Sequence, residues 1–133
     1  ERRCLLCYKV TRCSYSRIMD IDNKKIKVGY TTIDIKLQAP QFTKNNMTTN
    51  YAQYTSRENL IEIQPMLGDV DEANALIHEI MHGIVWVSSL SQDGQPLENE
   101  NEEEVVVNSI TNNLIQVFRD NGWLLDYLKQ KVK

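Results

Sequence analysis

The sequence predicts a small α+β domain: a sheet of about three strands, antiparallel or mixed, packed on two helices. Three observations carry this. Residues 26–37 and 51–64 have strand-type patterning, residues 69–90 place apolar side chains at helical spacing, and residues 101–121 do so again after a turn-rich gap. The 133 residues suit one such domain, and 41% hydrophobic with 25% charged residues is ordinary for a globular chain.

Taken in order, residues 1–23 show no sustained period and read as a loosely ordered arm, with the domain proper at 24–133. Ile26, Val28 and Tyr30 alternate, then Ile33, Ile35 and Leu37 alternate in the opposite phase. That predicts one long bent strand or two short ones, ended by Pro40. Polar residues 41–50 read as a loop. Tyr51–Tyr54 and Leu60–Gln64 are two short strands around a turn, hence a hairpin, stopped by Pro65.

Asp69 then offers an N-cap, with Glu72 three residues later completing a capping box. Ala73, Leu76, Ile77, Ile80, Met81, Ile84 and Val87 make the predicted buried stripe of the first helix. Gly94 and Pro96 mark a loop. The second helix starts in the acidic run 101–104, which suits the positive end of a helix dipole. Its predicted stripe is Val106, Val107, Ile110, Leu114, Val117 and Phe118. Gly122 is a natural C′ residue, and residues 123–128 form a short closing amphipathic helix.

Composition narrows the function. A net charge of −3 and no basic reading face argue against nucleic acid as partner. No apolar run reaches the ~20 residues that span a bilayer, and no signal-peptide pattern is present. Cys4, Cys7 and Cys13 crowd the first stretch without a fourth thiol or a nearby histidine, a poor structural zinc set. Reduced thiols in a cytoplasmic setting are the expectation. Oligomeric state is not legible.

Chemistry concentrates in His78-Glu79-Ile80-Met81-His82, which holds both histidines of the chain. Four residues along a helix advance about 400°, so the two imidazoles lie roughly 40° apart and about 6 Å along the axis. Two imidazoles one turn apart can ligate one tetrahedral Zn2+. Glu79 is placed to act as general base on water.

A catalytic zinc takes three protein ligands and keeps one position open. The spacing H-E-x-x-H-x-x-G-x-x-H is not met, since Val85 and Ser88 stand where glycine and histidine would be. A carboxylate, a cysteine or a tyrosine must serve, and Glu102, Glu103 and Glu104 follow at a suitable distance. Glu103 precedes Val107 by four and Ile110 by seven, on the inward line, and is the expected ligand. Glu104 is the alternative, with Asn108 one turn later as a hydrogen-bonding support. Tyr51 or Tyr54 could donate to an oxyanion, although a packed sheet tyrosine is the commoner situation.

The chain resembles small zincin metallopeptidase-like proteins of the gluzincin type, found in bacteriophages and mobile elements and related to ImmA/IrrE-type peptidases. The matching stretches are Tyr51–Tyr54, Leu60–Ile63, Leu76–Gly83, Glu103–Asn108 and Leu114–Asn121, within residues 24–125. The resemblance implies a zincin-like minimal fold with zinc between two helices. It also implies His78 and His82 as ligands, Glu79 as base, an acid of the second helix as third ligand, and an open cleft along an edge strand. The function expected is zinc-dependent hydrolysis of a protein or peptide, in the host cytoplasm if phage-encoded. The rival from another class is a zinc-stabilised interaction module that cleaves nothing.

Overall fold

The computed structural model describes residues 19–38 and 51–133. The three cysteines, Pro40, the polar 41–50 loop and most of the arm lie outside the described residues. Of that arm, Ile21 packs on the core, and the Asp22 carboxylate accepts the Leu37 amide at 2.9 Å.

Four strands form one mixed sheet: β1 (Lys25–Val28), β2 (Thr31–Leu37), β3 (Ala52–Thr55) and β4 (Leu60–Ile63), in the order β1-β2-β4-β3. The sheet thus has one strand more than expected. The phase switch near residue 30 is a two-residue hairpin between antiparallel β1 and β2, in which Val28 faces Thr31. Gly29 occupies its first turn position with φ +57°, which a side chain resists. The β3–β4 hairpin is antiparallel as expected, while β2 and β4 pair in parallel.

Three helices follow: α1 (Asp69–Val87), α2 (Glu100–Asp120) and α3 (Gly122–Lys131). Buried Val28, Ile33, Ile35, Ala52, Ile61 and Ile63 form the sheet's inner face, and Leu76, Ile80 and Val87 of α1 close over it. Helix α2 packs on α1, and α3 on α2. Gly83 lets α1 settle onto the sheet, because a Cβ there would stand 3.1 Å from Ile33 Cδ1. None of the helices of the described residues is long and apolar enough to cross a membrane.

Several local expectations are corrected. Gly68, not Asp69, is the N-cap of α1 and no side chain caps it, so the capping box is not formed. The cap of α2 is Asn99, whose side-chain oxygen accepts the Asn101 and Glu102 amides. Gly122 begins α3 rather than ending α2. In α1, Ala73 and Ile84 are exposed. In α2 the buried residues are Val107 and Thr111, while Val106, Ile110 and Val117 are exposed. The inward stripe of α2 is therefore rotated towards Thr111.

Gly29→Ala is expected to destabilise the fold, since the left-handed backbone alone costs about 1–2 kcal/mol. The new Cβ would also clash with Val87 Cγ1, on a β-branched side chain with little freedom to move. Thermal unfolding measures it; an unchanged melting temperature would show a different turn.

Candidate metal centre and cleft

Helix α1 carries His78 and His82 on one line, and the N-terminal half of α2 faces them. The three polar groups that converge are the two Nε2 atoms and the Glu104 carboxylate. His78 Nε2 is 3.1 Å from His82 Nε2 and 3.1 Å from Glu104 Oε1, and His82 Nε2 is 3.0 Å from Glu104 Oε2. The two rings meet edge to face. On its other side, His82 Nδ1 lies 2.9 Å from Glu103 Oε1.

The Glu103 carboxylate can only accept, so His82 Nδ1 carries the proton, and in a neutral ring Nε2 then has a bare lone pair. That lone pair faces a carboxylate and a second imidazole at hydrogen-bond distance. His78 Nε2 can offer at most one proton between that lone pair and the carboxylate, and a cation would satisfy all three groups together. His78, His82 and Glu104 could together hold a metal ion, their ligand atoms lying within 4.8 Å of one another. A tetrahedral ion with bonds of about 2.0–2.1 Å spaces its ligands about 3.3 Å apart. The two Nε2 atoms, 3.1 Å apart, are close to that spacing, and Glu104 turns a different oxygen to each of them, Oε1 to His78 and Oε2 to His82. Burial holds the His78 imidazole below its ordinary pKa against the pull of Glu104, with His82 adding to the lowering, which favours the neutral form a metal needs.

The two acids meet different nitrogens of the histidine pair. Glu103 does point inward, with a side chain only 16% exposed, but its oxygen meets the far nitrogen of His82. Glu104, 50% exposed, reaches both Nε2 atoms. The rotated stripe of α2 is the cause: with Thr111 at its centre, the line of Glu104 turns towards α1. Asn108 Nδ2 donates to Glu104 Oε1 at 3.3 Å, the support expected for that acid. Asn74 Nδ2 donates to Asn112 Oδ1 at 3.0 Å and ties the two helices together.

Glu79 was expected beside the pair and is found buried, 7% exposed, on the face of α1 that meets the edge strand. Its neighbours one turn away on that line are Ala75 and Gly83, both buried and both small. Strand β3 therefore approaches closely, and the Tyr54 amide donates to the Glu79 carboxylate. Burial pushes the Glu79 carboxyl up to about 7, opposed by His82 and the Tyr54 amide and reinforced by Glu104.

A cleft of about 1250 Å³ runs along α1, walled by Tyr51–Ser56 on one side and the start of α2 on the other. His78, Glu79, His82, Glu103 and Glu104 all line it. Tyr51 stands exposed at its rim. The Tyr54 hydroxyl is shielded from solvent with no hydrogen-bond partner among the described residues, and burial raises its pKa. The Tyr54 ring packs against the core cluster, and the residue also lines the cleft. Sequence reasoning missed Trp86, which lines the cleft one turn beyond His82 and is 43% exposed. Its spacing, four residues after His82, was the available signal.

Comparison of the chain with protein-family models, with curated proteins and with solved structures finds no match in any of the three.

Proposed function

We propose that the protein is a zinc-dependent peptidase with a zincin-like site, His78, His82 and Glu104 holding the ion and Glu79 acting as general base. The observation that carries the reading is the convergence of two Nε2 atoms and one carboxylate, beside a buried carboxyl, in an open cleft. A bound zinc ion supplies a Lewis acid that acidifies water and polarises a carbonyl. Glu79 takes a proton from the attacking water and returns it to the departing amine, the work of a carboxyl tuned towards neutral pH. The Tyr54 amide fixes the Glu79 carboxylate against the sheet.

Among the described residues, strand β3 lies at the sheet edge and pairs only with β4. Tyr51 O accepts from Gln64 N at 2.8 Å, so by the alternation of an antiparallel ladder the backbone groups of Ala52 and Tyr54 point away from β4. Glu79 takes the Tyr54 amide, and the Ala52 amide and carbonyl face outward at the cleft. An extended peptide pairs with such an edge through main-chain hydrogen bonds. Glu103 orients His82 through Nδ1 and raises its basicity as a ligand.

Metal content and peptide cleavage on the same preparation test the reading. About one zinc per chain with metal-dependent hydrolysis is expected. Tight zinc without hydrolysis of any peptide would favour the metal-stabilised interaction module instead.

The two acids separate in a competitive chelator titration. Glu104→Ala removes a ligand and is expected to weaken zinc most. Glu103→Ala is expected to weaken it about 10–100-fold, the usual cost of losing a group that orients a ligand. The opposite order would return the ligand role to Glu103.

A further inference from the structure

We infer that the cleft selects peptide segments carrying a lysine or arginine side chain, received by Trp86 with Glu98 and Glu100 at the end of the cleft beyond His82. This rests on the peptidase reading for the identity of the site, and adds the chemistry of its substrate.

The lining has one sign. Besides the buried Glu79, five acidic residues line the cleft, Asp71, Glu98, Glu100, Glu103 and Glu104, and among the described residues that line it there is no lysine or arginine. The whole chain carries a net charge of only −3, so the excess is local. A divalent ion offsets two of these charges, and the cleft stays negative. Single-sign clefts with low-dielectric walls concentrate counter-charged ligands, by about tenfold or more.

The second observation is the indole. Asp71, His78, His82 and Trp86 line the cleft along α1, from its first turn to its last. These fifteen steps span about 22 Å at 1.5 Å per residue, the length of roughly six or seven residues of extended chain. Trp86 lies about 6 Å beyond His82 along the helix. A side chain meeting it therefore belongs to a residue within about two positions of the bond at the metal centre. An exposed indole face binds a guanidinium or ammonium group. The same cleft is lined by Ser91 and Glu98 from the loop after α1, and by Glu100 from the first turn of α2. One oxygen of the Glu98 carboxylate accepts the Gly94 amide at 2.9 Å. An indole and carboxylates lining one cleft suit a cationic side chain and repel an acidic one.

The test uses Glu79→Gln protein, which binds without cleaving, loaded with zinc and carrying Trp123→Phe so that Trp86 is its sole tryptophan. Three capped peptides of equal length, with lysine, alanine or glutamate at the varied position, are titrated by calorimetry, and Trp86 fluorescence is followed in parallel. The lysine peptide is expected to bind about tenfold tighter than the alanine peptide, with the glutamate peptide weakest. The preference should shrink in high salt and largely vanish in a Glu98→Gln/Glu100→Gln variant. Equal affinities, no measurable binding of any peptide, or a lysine preference untouched by that variant would overturn the inference. Parent protein that hydrolyses lysine and neutral peptides equally well would defeat this inference alone. Lysine-selective binding with no hydrolysis by the parent would defeat the peptidase reading alone.

Discussion

His82→Ala is expected to leave the protein without bound metal and to abolish the rise in melting temperature that zinc produces in the parent. The expectation is large because His82 holds three contacts at once: its Nε2 meets His78 and Glu104, and its Nδ1 meets Glu103. Removing the ring takes away a proposed ligand and the Nδ1 partner of Glu103, while Glu104 keeps only His78 and Asn108. Zinc present at a thousand times its dissociation constant stabilises the folded state by about 4 kcal/mol. For a domain of this size that is a shift on the order of 10 °C. The variant should show almost none of it. Equal shifts in parent and variant would place the metal elsewhere.

The second large effect belongs to Glu79→Gln. Hydrolysis should fall by about 10²–10⁴-fold while zinc content stays unchanged, because the role proposed for the residue is to move a proton and not to hold the ion. The same substitution has a signature in metal-free protein. The folded Glu79 carboxyl lies at about 7, above its ordinary 4.5, so the folded chain keeps a proton that the unfolded chain releases. Stability from this group is full below pH 4.5 and is lost as pH rises through 7. His78 is shifted the other way, so the clean quantity is the difference between variant and parent. Glutamine carries no charge, and its advantage over glutamate should grow from pH 4.5 to pH 8, by up to about 3 kcal/mol. Denaturant unfolding at both ends of that range measures it. A constant difference would mean that Glu79 is solvated in the folded protein.

The parts of this molecule that were legible in the sequence are those fixed within one element. The histidine pair follows from a four-residue spacing on a helix, and the β3–β4 hairpin from two short runs around a turn. The switch of phase near Gly29 was visible too, although a bend and a hairpin leave the same trace. Parallel pairing of β2 with β4 was not legible, because it joins residues far apart in the chain through side chains that look alike from either neighbour. That Glu104 meets the two Nε2 atoms while Glu103 meets Nδ1 was not legible for a related reason. Neighbouring residues on a helix differ by about 100° in direction. The rotation of α2 was read from its apolar residues, whereas the buried position at its centre is a threonine, Thr111. Val106, Ile110 and Val117, which pulled the reading to the other side, are exposed. The burial of Glu79 has the same character, since it depends on the small residues Ala75 and Gly83 letting the edge strand approach.

That edge strand is also what joins the fold to the proposed chemistry. Its Tyr54 amide holds Glu79 on one side of the cleft, while α2 brings Glu103 and Glu104 to the histidines from the other. A shift of α2 by one residue along α1 would break the three histidine–carboxylate contacts. The Asn74–Asn112 hydrogen bond, further along the same pair of helices, opposes such a shift.

X-ray absorption at the zinc edge, on protein loaded with one equivalent of zinc, tests the metal centre most directly. The account predicts two imidazoles with the remaining donors all oxygen, and loss of one imidazole or of zinc itself in His78→Ala protein. A sulfur shell at about 2.3 Å, or a parent spectrum that His78→Ala leaves unchanged, would contradict it.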